Sequence, residues 1–157
     1  MPSDREAAIA AAVAVFQKDV GEWDAVLEVR PQPGAPPLVQ KGVYRNRMVG
    51  GRWLIVDYSS ESGFEGHGVY GWDHDLGKYV GTWVDSMQGT IARSTGAWDA
   101  ATRTMTFETE ATHGGRPFRY REITQAMPDG TQVYRNLVPL PTGEEFEMIR
   151  SVYRRRS

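Results

Sequence analysis

Strand signals recur at a nearly constant spacing from Gly21 to the end of the chain. Short stretches rich in valine, tyrosine, tryptophan, threonine and phenylalanine appear about every ten residues, separated by clusters of glycine, proline and aspartate. This spacing is typical of an antiparallel sandwich or barrel. Because the 157 residues contain no internal repeat or domain boundary, we expect a single all-β domain, a roughly ten-stranded antiparallel meander barrel. The predicted strands are 21–30, 41–49, 52–59, 65–73, 78–86, 89–98, 102–111, 116–126, 131–138 and 144–153.

The segment before Gly21 has a different period and predicts one α-helix over residues 4–19. Ser3 and Glu6 have the spacing of a capping box, in which the serine oxygen accepts from a free backbone amide at the start of the helix. An apolar stripe at helical spacing follows, formed by Ile9, Val13, Phe16 and Val20. The expected layout of the domain 1–157 is a helix at 4–19, a barrel at 21–153 and a basic tail at 154–157.

The composition excludes several functional classes. The chain has no cysteine, which removes thiol and cysteine-ligated metal chemistry. Its 18 basic and 20 acidic residues are mixed along the sequence and give a net charge of −2, so no basic surface for nucleic acid is expected. No apolar run approaches the ~20 residues of a membrane span, and Asp4 and Glu6 argue against a signal peptide. We expect a cytoplasmic protein with no nucleic-acid or membrane partner.

Turn residues set the strand registers, and the registers decide which side chains share a face. Gly50-Gly51 and Gly114-Gly115 predict two-residue turns, because paired glycines supply the positive φ of such hairpins. Propagation of these pairings places several polar groups on the inner face: Tyr120, Glu122, Tyr134, Asn136 and Arg150. In this register Glu122 opposes Asn136, and Tyr134 opposes Arg150. Buried charges of this kind indicate either a hydrated or ligand-filled cavity or an ion pair that closes one end of a packed barrel.

The stretch 66–87 combines aromatic rings, glycines, histidines and carboxylates, and it predicts a hairpin closed by Gly77. The expected cross-strand pairs are Asp73 with Lys78, Trp72 with Tyr79, Tyr70 with Gly81, Gly68 with Trp83 and Gly66 with Asp85. Aromatic rings that face glycines across a ladder explain these glycines by packing. We expect the rings and Asp85 to face inward and His67 to face outward. The opposite parity would bring His67 into the cavity and favour an acid–base site.

The outer wall of this hairpin would carry Val69, Val80 and Val84. Three apolar side chains on an exposed wall need cover, either from the N-terminal helix or from a second copy of the chain. The sequence therefore predicts a homodimer as one way to bury this face.

Catalytic and metal constellations are weak. His67, His74 and His113 lie far apart in the sequence, so no metal site and no cofactor are expected. A serine–histidine–aspartate system is also not expected, because no histidine faces inward in the predicted register. The candidate catalytic residues are carboxylates that act as a desolvated base, Glu122, Asp85 or Asp57, with Tyr120 or Tyr134 as hydrogen-bond donor.

Several motifs resemble a known superfamily. Gly21-Glu22-Trp23, together with Arg150 or Arg154 on the last strand, resembles the Gly-x-Trp and C-terminal arginine of the calycins, which include lipocalins and fatty-acid-binding proteins. The runs 50–54, 66–73 and 78–87 resemble more closely a bacterial family of calycin-like domains of unknown function. The resemblance covers about residues 15 to 153 and implies a lipocalin-like barrel in which the arginine packs over the tryptophan to close one end.

The haem-binding nitrobindin branch of this superfamily is matched poorly. Asp24-Ala25 stands where that branch has a different glycine pattern, and no histidine follows His113. The resemblance therefore implies a barrel without haem.

The expected function is binding of a small, mostly apolar molecule with a polar group inside the barrel. Reflection across Gly50-Gly51 adds six residues to the inner face: Tyr44, Asn46, Met48, Trp53, Ile55 and Asp57. The expected ligand-binding residues are Tyr44, Asn46, Trp53, Tyr70, Trp83, Asp85, Phe107, Tyr120, Glu122, Tyr134, Asn136, Met148 and Arg150. Two alternatives stay open. One is a small-molecule isomerase, cyclase or hydrolase that uses a carboxylate base in the same cavity, and the other is a structural barrel that dimerises through its outer valine face.

Overall fold

Ten antiparallel strands close into a barrel in the computed structural model, which describes residues 2–157. Each strand pairs with the next one along the chain, and the first pairs with the last, which confirms the predicted fold class. The strands are β1 (Gly21–Val29), β2 (Leu38–Val49), β3 (Trp53–Ser60), β4 (Glu65–Asp73), β5 (Lys78–Asp85), β6 (Ala92–Asp99), β7 (Thr104–His113), β8 (Arg116–Ala126), β9 (Gln132–Pro139) and β10 (Glu145–Arg155).

One N-terminal helix, α1 (Asp4–Ala14), precedes the barrel and continues into a 3₁₀ turn, Val15–Asp19. The predicted capping box is present: Ser3 Oγ accepts from the Glu6 amide at 3.2 Å, and the Ser3 amide donates to Glu6 Oε2 at 3.1 Å. The apolar stripe of this segment packs against inward side chains at one end of the barrel, in a cluster formed by Ile9, Val13, Phe16, Leu54, Tyr79, Met105 and Phe107. The helix thus closes that end. No helix within residues 2–157 is long and apolar enough to span a membrane.

Trp23 and Arg155 seal the same end. The Trp23 side chain is 2 % exposed, and its indole N–H donates to the Asp19 carbonyl at 3.0 Å. The Arg155 guanidinium lies 4.4 Å from the centre of the Trp23 ring and donates to the carbonyls of Lys18 and Val20, both at 2.7 Å. The arginine that packs over the tryptophan is therefore Arg155, and not Arg150 or Arg154 as expected. Strand β10 continues to Arg155, so the first two residues of the expected tail belong to the strand.

Most of the predicted registers are confirmed. The hairpin of β4 and β5 has all five expected pairs, from Asp73 with Lys78 to Gly66 with Asp85. Across Gly114-Gly115, β7 pairs with β8 so that Phe107 opposes Glu122, and Glu122 opposes Asn136 on β9. The inward placement of Glu122, Tyr134 and Asn136 follows from these turns.

The expected register of β3 is wrong by one residue. Val49 pairs with Trp53, so the turn between β2 and β3 contains Arg52 as well as the two glycines. Since side chains alternate from face to face along a strand, one extra residue reverses the whole strand. Leu54, Val56 and Tyr58 face inward, opposite Met48, Asn46 and Tyr44. The predicted inward placement of Trp53, Ile55 and Asp57 is therefore incorrect, and these three lie on the outer wall.

The expected register of β10 is also wrong beyond its first residues. Glu147 opposes Leu137 and Ile149 opposes Asn136, which leaves Met148 as the extra residue of a β-bulge. The bulge brings Ser151 opposite Tyr134 and turns Arg150 outward, where it is exposed and 3.5 Å from Glu147 Oε1. The predicted pair of Tyr134 with Arg150 does not exist.

Aromatic rings cover glycines on both faces of the wall. A Cβ atom added to Gly81 would collide with the ring of Tyr70, and one added to Gly66 would collide with Trp83. On the outer wall, Trp53 covers Gly71 in the same way. The predicted explanation of the glycines in β4 and β5 by ring packing is confirmed, and Trp53 has a structural role.

We expect Gly81→Ala to destabilise the protein by about 1–3 kcal/mol, because Tyr70 must leave its rotamer or push the strand outward. Without a collision, alanine in a strand is more stable than glycine by about 0.5–1 kcal/mol. The sign of the change in the free energy of unfolding therefore shows whether the ring collides with the added Cβ. Urea unfolding followed by tryptophan fluorescence measures it. Gly89→Ala is the matched control, since nothing lies within 4 Å of a Cβ there. Equal stability of the two variants would contradict the packing argument.

A second prediction concerns the sealed end. Arg155→Ala removes two hydrogen bonds from a charged donor and a stacked ring contact, and we expect it to lower the free energy of unfolding by about 1–3 kcal/mol. Arg154→Ala is the control, because Arg154 is exposed and its one salt bridge among residues 2–157 is with Asp129, at 3.8 Å. We expect it to change stability by less than about 0.5 kcal/mol. Thermal unfolding by circular dichroism compares them, and a larger loss for Arg154→Ala would refute the assignment.

Candidate functional site

Glu122 lies at the centre of a polar network inside the barrel. It projects inward from β8, between Phe107 on β7 and Asn136 on β9. Its Oε2 accepts from the Tyr134 hydroxyl at 2.5 Å, and its Oε1 accepts from Thr109 Oγ1 at 2.7 Å. The network thus connects β7, β8 and β9 through one carboxylate.

The hydrogen bonds of this network all point toward Glu122. Thr109 has one hydroxyl proton and gives it to the carboxylate, so Ser94, 2.7 Å away, donates to Thr109. Tyr134 likewise gives its proton to Glu122 and accepts from Asn136 Nδ2 at 3.4 Å. Ser94 and Thr109 are buried, at 6 % and 2 % exposure. Such an arrangement of donors is the one that an ionised carboxylate requires.

Burial raises the pKa of Glu122, and the hydrogen bonds from Tyr134 and Thr109 oppose this shift only in part. The pKa values of Tyr134 and Tyr70 rise well above the usual phenol value, first through burial and then through the charge of Glu122. Among residues 2–157, no lysine or arginine forms a salt bridge with Glu122. The carboxylate is therefore an interior charge without a cationic partner.

Aromatic side chains surround this carboxylate. Tyr70 packs against Phe107 with ring centres 5.6 Å apart, and the burial-raised pKa values of Tyr44 and Tyr120 also respond to Glu122. Although these tyrosines project inward, Tyr44, Tyr70 and Tyr120 stay only partly buried. These three tyrosines near the carboxylate therefore keep part of their surface accessible.

Asp85 lies at the rim, where β5 ends. Its Oδ2 accepts from the indole of Trp83 at 3.0 Å, and its Oδ1 accepts from the amides of Met87 and Gln88, both at 2.9 Å. These bonds hold the connection to β6 in place. Asp85 therefore faces inward as predicted, while its hydrogen bonds give it a structural role.

Asp57 and His67 form a pair on the outer wall. Asp57 Oδ1 lies 2.6 Å from His67 Nδ1, and both side chains are about half exposed. They line a surface groove with Arg45, Glu65 and Ser86. The outward prediction for His67 is confirmed, and Asp57 is not an interior base.

A second surface groove lies near Thr90 and Thr112, and Glu122 contributes to neither groove.

Three further residues of the expected site lie elsewhere. Asn46 faces inward but donates to the Asp19 carbonyl at 2.9 Å, at the end closed by the helix. Met148 is the bulge residue of β10, and Arg150 is on the outer wall. In the part of the chain from 2 to 157, no three histidine, aspartate or glutamate side chains come together as metal ligands.

Ser94 and Thr109 were not among the expected site residues. The alternation of β7 made Thr109 inward, and the signal for its function was a hydroxyl on the strand that pairs with the strand of Glu122. Ser151 was missed altogether because the bulge hides its parity. It is fully buried and opposes Tyr134.

A family model described as "Protein of unknown function (DUF1579)" matches residues 10–155. The match begins within α1 and ends at the arginine that covers Trp23. No curated protein matches the chain.

Stability should depend on pH through Glu122. Its pKa in the folded protein is raised above the ordinary 4.5, so the folded state holds the proton more tightly than the unfolded state. This contribution to stability is therefore complete below about pH 4.5 and is lost as the pH rises through the raised value. The amide introduced by Glu122→Gln does not titrate. We expect the stability of this variant relative to the unmodified protein to increase as the pH rises from about 4 to 8.

Chemical unfolding at several pH values measures this difference. Glu108→Gln is the control, because Glu108 is exposed on the outer face of the neighbouring strand. Its stability relative to the unmodified protein should change less over the same range than that of Glu122→Gln. A flat profile for Glu122→Gln would show that the carboxyl is not desolvated.

Proposed function

Since the chain belongs to the DUF1579 family, whose description assigns no function, we propose a role from its own residues: the barrel binds a small, mostly apolar molecule whose polar group docks at Glu122. The observation that carries this proposal is an interior carboxylate, bonded to two hydroxyls and lacking a cationic partner among residues 2–157. A barrel that served only as a scaffold gains nothing from such a charge, because burying it costs free energy.

Unpartnered polar atoms near the network support the proposal. Asn136, directly opposite Glu122, is 7 % exposed, and its Oδ1 has no hydrogen-bond partner among the described residues. The Ser151 hydroxyl, opposite Tyr134, is in the same state. A buried polar atom without a partner costs about 1–3 kcal/mol, so a bound group that satisfies these atoms gains affinity.

The proposed pocket combines apolar walls with this polar floor. Tyr44, Tyr70, Trp83, Phe107 and Tyr120 form the walls, and Glu122, Tyr134 and Asn136 form the floor. Trp53 and Arg150 are not part of it, because they lie on the outer wall. Val84 is 41 % exposed, and a homodimer through that face stays a prediction.

Catalysis in the same pocket is the second candidate function. The observation that favours it is the raised pKa of Glu122, since a general base works best when its pKa approaches the working pH. Glu122 would then remove a proton from a bound small molecule, with Tyr134 as the hydrogen-bond donor. Loss of turnover with retained binding in Glu122→Gln would distinguish this function from simple binding.

Native mass spectrometry of the full chain as purified tests the binding function. We expect a bound small molecule on the unmodified protein and on the outer-wall control Glu108→Gln, and at least a tenfold lower occupancy on Glu122→Gln. Denaturing mass spectrometry of the same samples shows whether the extra mass is non-covalent. A clean apo mass for all three proteins, or equal occupancy in all three, would count against the proposal.

A further inference from the structure

We propose that the polar group of the bound molecule is a protonated primary or secondary amine, so that the ligand is an apolar organic cation. This inference rests on the proposed binding function and adds the sign of the ligand's charge. Three features of the interior carry it: the direction of the hydrogen bonds, the location of the basic side chains and the aromatic walls.

The network around Glu122 offers hydrogen-bond acceptors to a ligand. The protons of Thr109 and Tyr134 already point at the carboxylate, and Ser94 donates to Thr109. The Ser151 hydroxyl, opposite Tyr134, is unpartnered and is able to donate or accept. The free acceptors are the second lone pair of each Glu122 oxygen and the unpartnered Oδ1 of Asn136. These acceptors lie on neighbouring strands, directly opposite each other. A group that bonds to both must donate at least two protons, as an ammonium with N–H bonds does.

The basic side chains nearest to Glu122 on β8 and β9 cannot receive an anionic ligand. Arg116 shares the face of Glu122 but lies six residues away, at the start of β8. Arg119, Arg121 and Arg135 project outward and pair with Glu110, Glu145 and Glu147. At the closed end, Lys18 binds Asp19, and Arg155 covers Trp23. A ligand carboxylate placed beside Glu122 would therefore meet a like charge, and such a contact costs several kcal/mol.

The aromatic walls favour a cation as well. The faces of tyrosine and tryptophan rings carry partial negative charge and attract ammonium groups within about 6 Å. Tyr44, Tyr70 and Tyr120 all lie close enough to Glu122 to respond to its charge. Their pKa values are raised, so these phenols stay neutral near pH 7 and carry no charge of their own. A cation held at Glu122 thus lies among electron-rich rings.

The binding of a cation should depend on pH. An ammonium beside Glu122 favours its ionised form, so binding releases a proton wherever the free carboxyl is protonated. Affinity should therefore increase as the pH rises through the raised pKa of Glu122. The titratable groups that face it are the phenols of Tyr134, Tyr120, Tyr44 and Tyr70, which stay neutral in this range, and Asp85, whose charge Tyr120 also senses.

A matched series of small probes tests the sign of the charge. We would titrate the full chain with 2-phenylethylamine, 2-phenylethanol and 3-phenylpropanoate at pH 7 and follow binding by amide chemical shifts. We expect the amine to bind at least tenfold more tightly than the alcohol and the carboxylate. Its affinity should also rise as the pH increases above about 4.5, the ordinary pKa of a glutamate, whereas that of the alcohol should stay constant. These two measurements need no variant.

Variants then locate the contact. Glu122→Gln should weaken binding of the amine at least tenfold and change that of the alcohol by less than about threefold, and Glu108→Gln should change neither. Amide spectra of each variant show that it is folded.

The outcomes separate this inference from the proposed function. Tighter binding of the carboxylate or the alcohol than of the amine would overturn the cation and leave the pocket in place, as would a neutral or anionic molecule retained on the purified protein. Absence of binding by all three probes, together with a clean apo mass, would overturn the binding function and the cation with it.

Discussion

Arg155, on the last strand, binds the segment that leads into the first strand. The interior exists only because these two strands pair and close the barrel. The Arg155 guanidinium stacks on Trp23 and bonds to two carbonyls of the segment that joins the helix to β1. β1 and β10 then pair over the seven residues from Trp23 to Val29. Closure satisfies the backbone groups that an edge strand would expose. In an open sheet, Glu122 would be hydrated and its pKa would stay near the usual value.

The burial of the Glu122 carboxylate in this closed wall costs free energy. Two hydroxyls reduce the cost of its burial but leave the pKa raised, which shows that the compensation is incomplete. Replacing a buried charge by an apolar side chain of similar volume is often neutral or stabilising. A chain that places Glu122, Thr109 and Tyr134 together therefore has an arrangement that is typical of functional sites, where local stability and activity conflict.

The site residues could be predicted from the sequence where glycines mark the turns between their strands. Glu122, Tyr134 and Asn136 were placed together correctly because Gly114-Gly115 leaves one register for β7 and β8, and a glycine also ends the turn that follows β8. The turn closed by Gly77 likewise set the register of β4 and β5.

The two register errors, in β3 and β10, occurred where a single residue departs from the pattern that predicts the turn or the strand. Arg52 follows two glycines that alone are able to form a turn, and Met148 bulges without any glycine to mark it. Because the strand period is two, each single-residue error moved every later residue of its strand to the wrong face, among them Trp53, Asp57 and Arg150. The hydrogen bonds of Thr109 could not be predicted for a different reason. They depend on distances between side chains on neighbouring strands, and the alternation of residues along one strand carries no information about those distances.

The same registers separate the length of the turn between β2 and β3 from the placement of its flanking side chains. Directly opposed residues share a face whatever the number of residues between them, so the pair of Val49 with Trp53 decides the faces of both strands. Removal of Arg52 would leave Gly50-Gly51 as a two-residue turn that is able to keep this pair, with Tyr58 still inside. An insertion of one residue within β3, by contrast, would move every later residue of that strand to the other face. Insertions should therefore be tolerated in the turn but not a few residues farther along the chain, a boundary that surface exposure alone would not reveal.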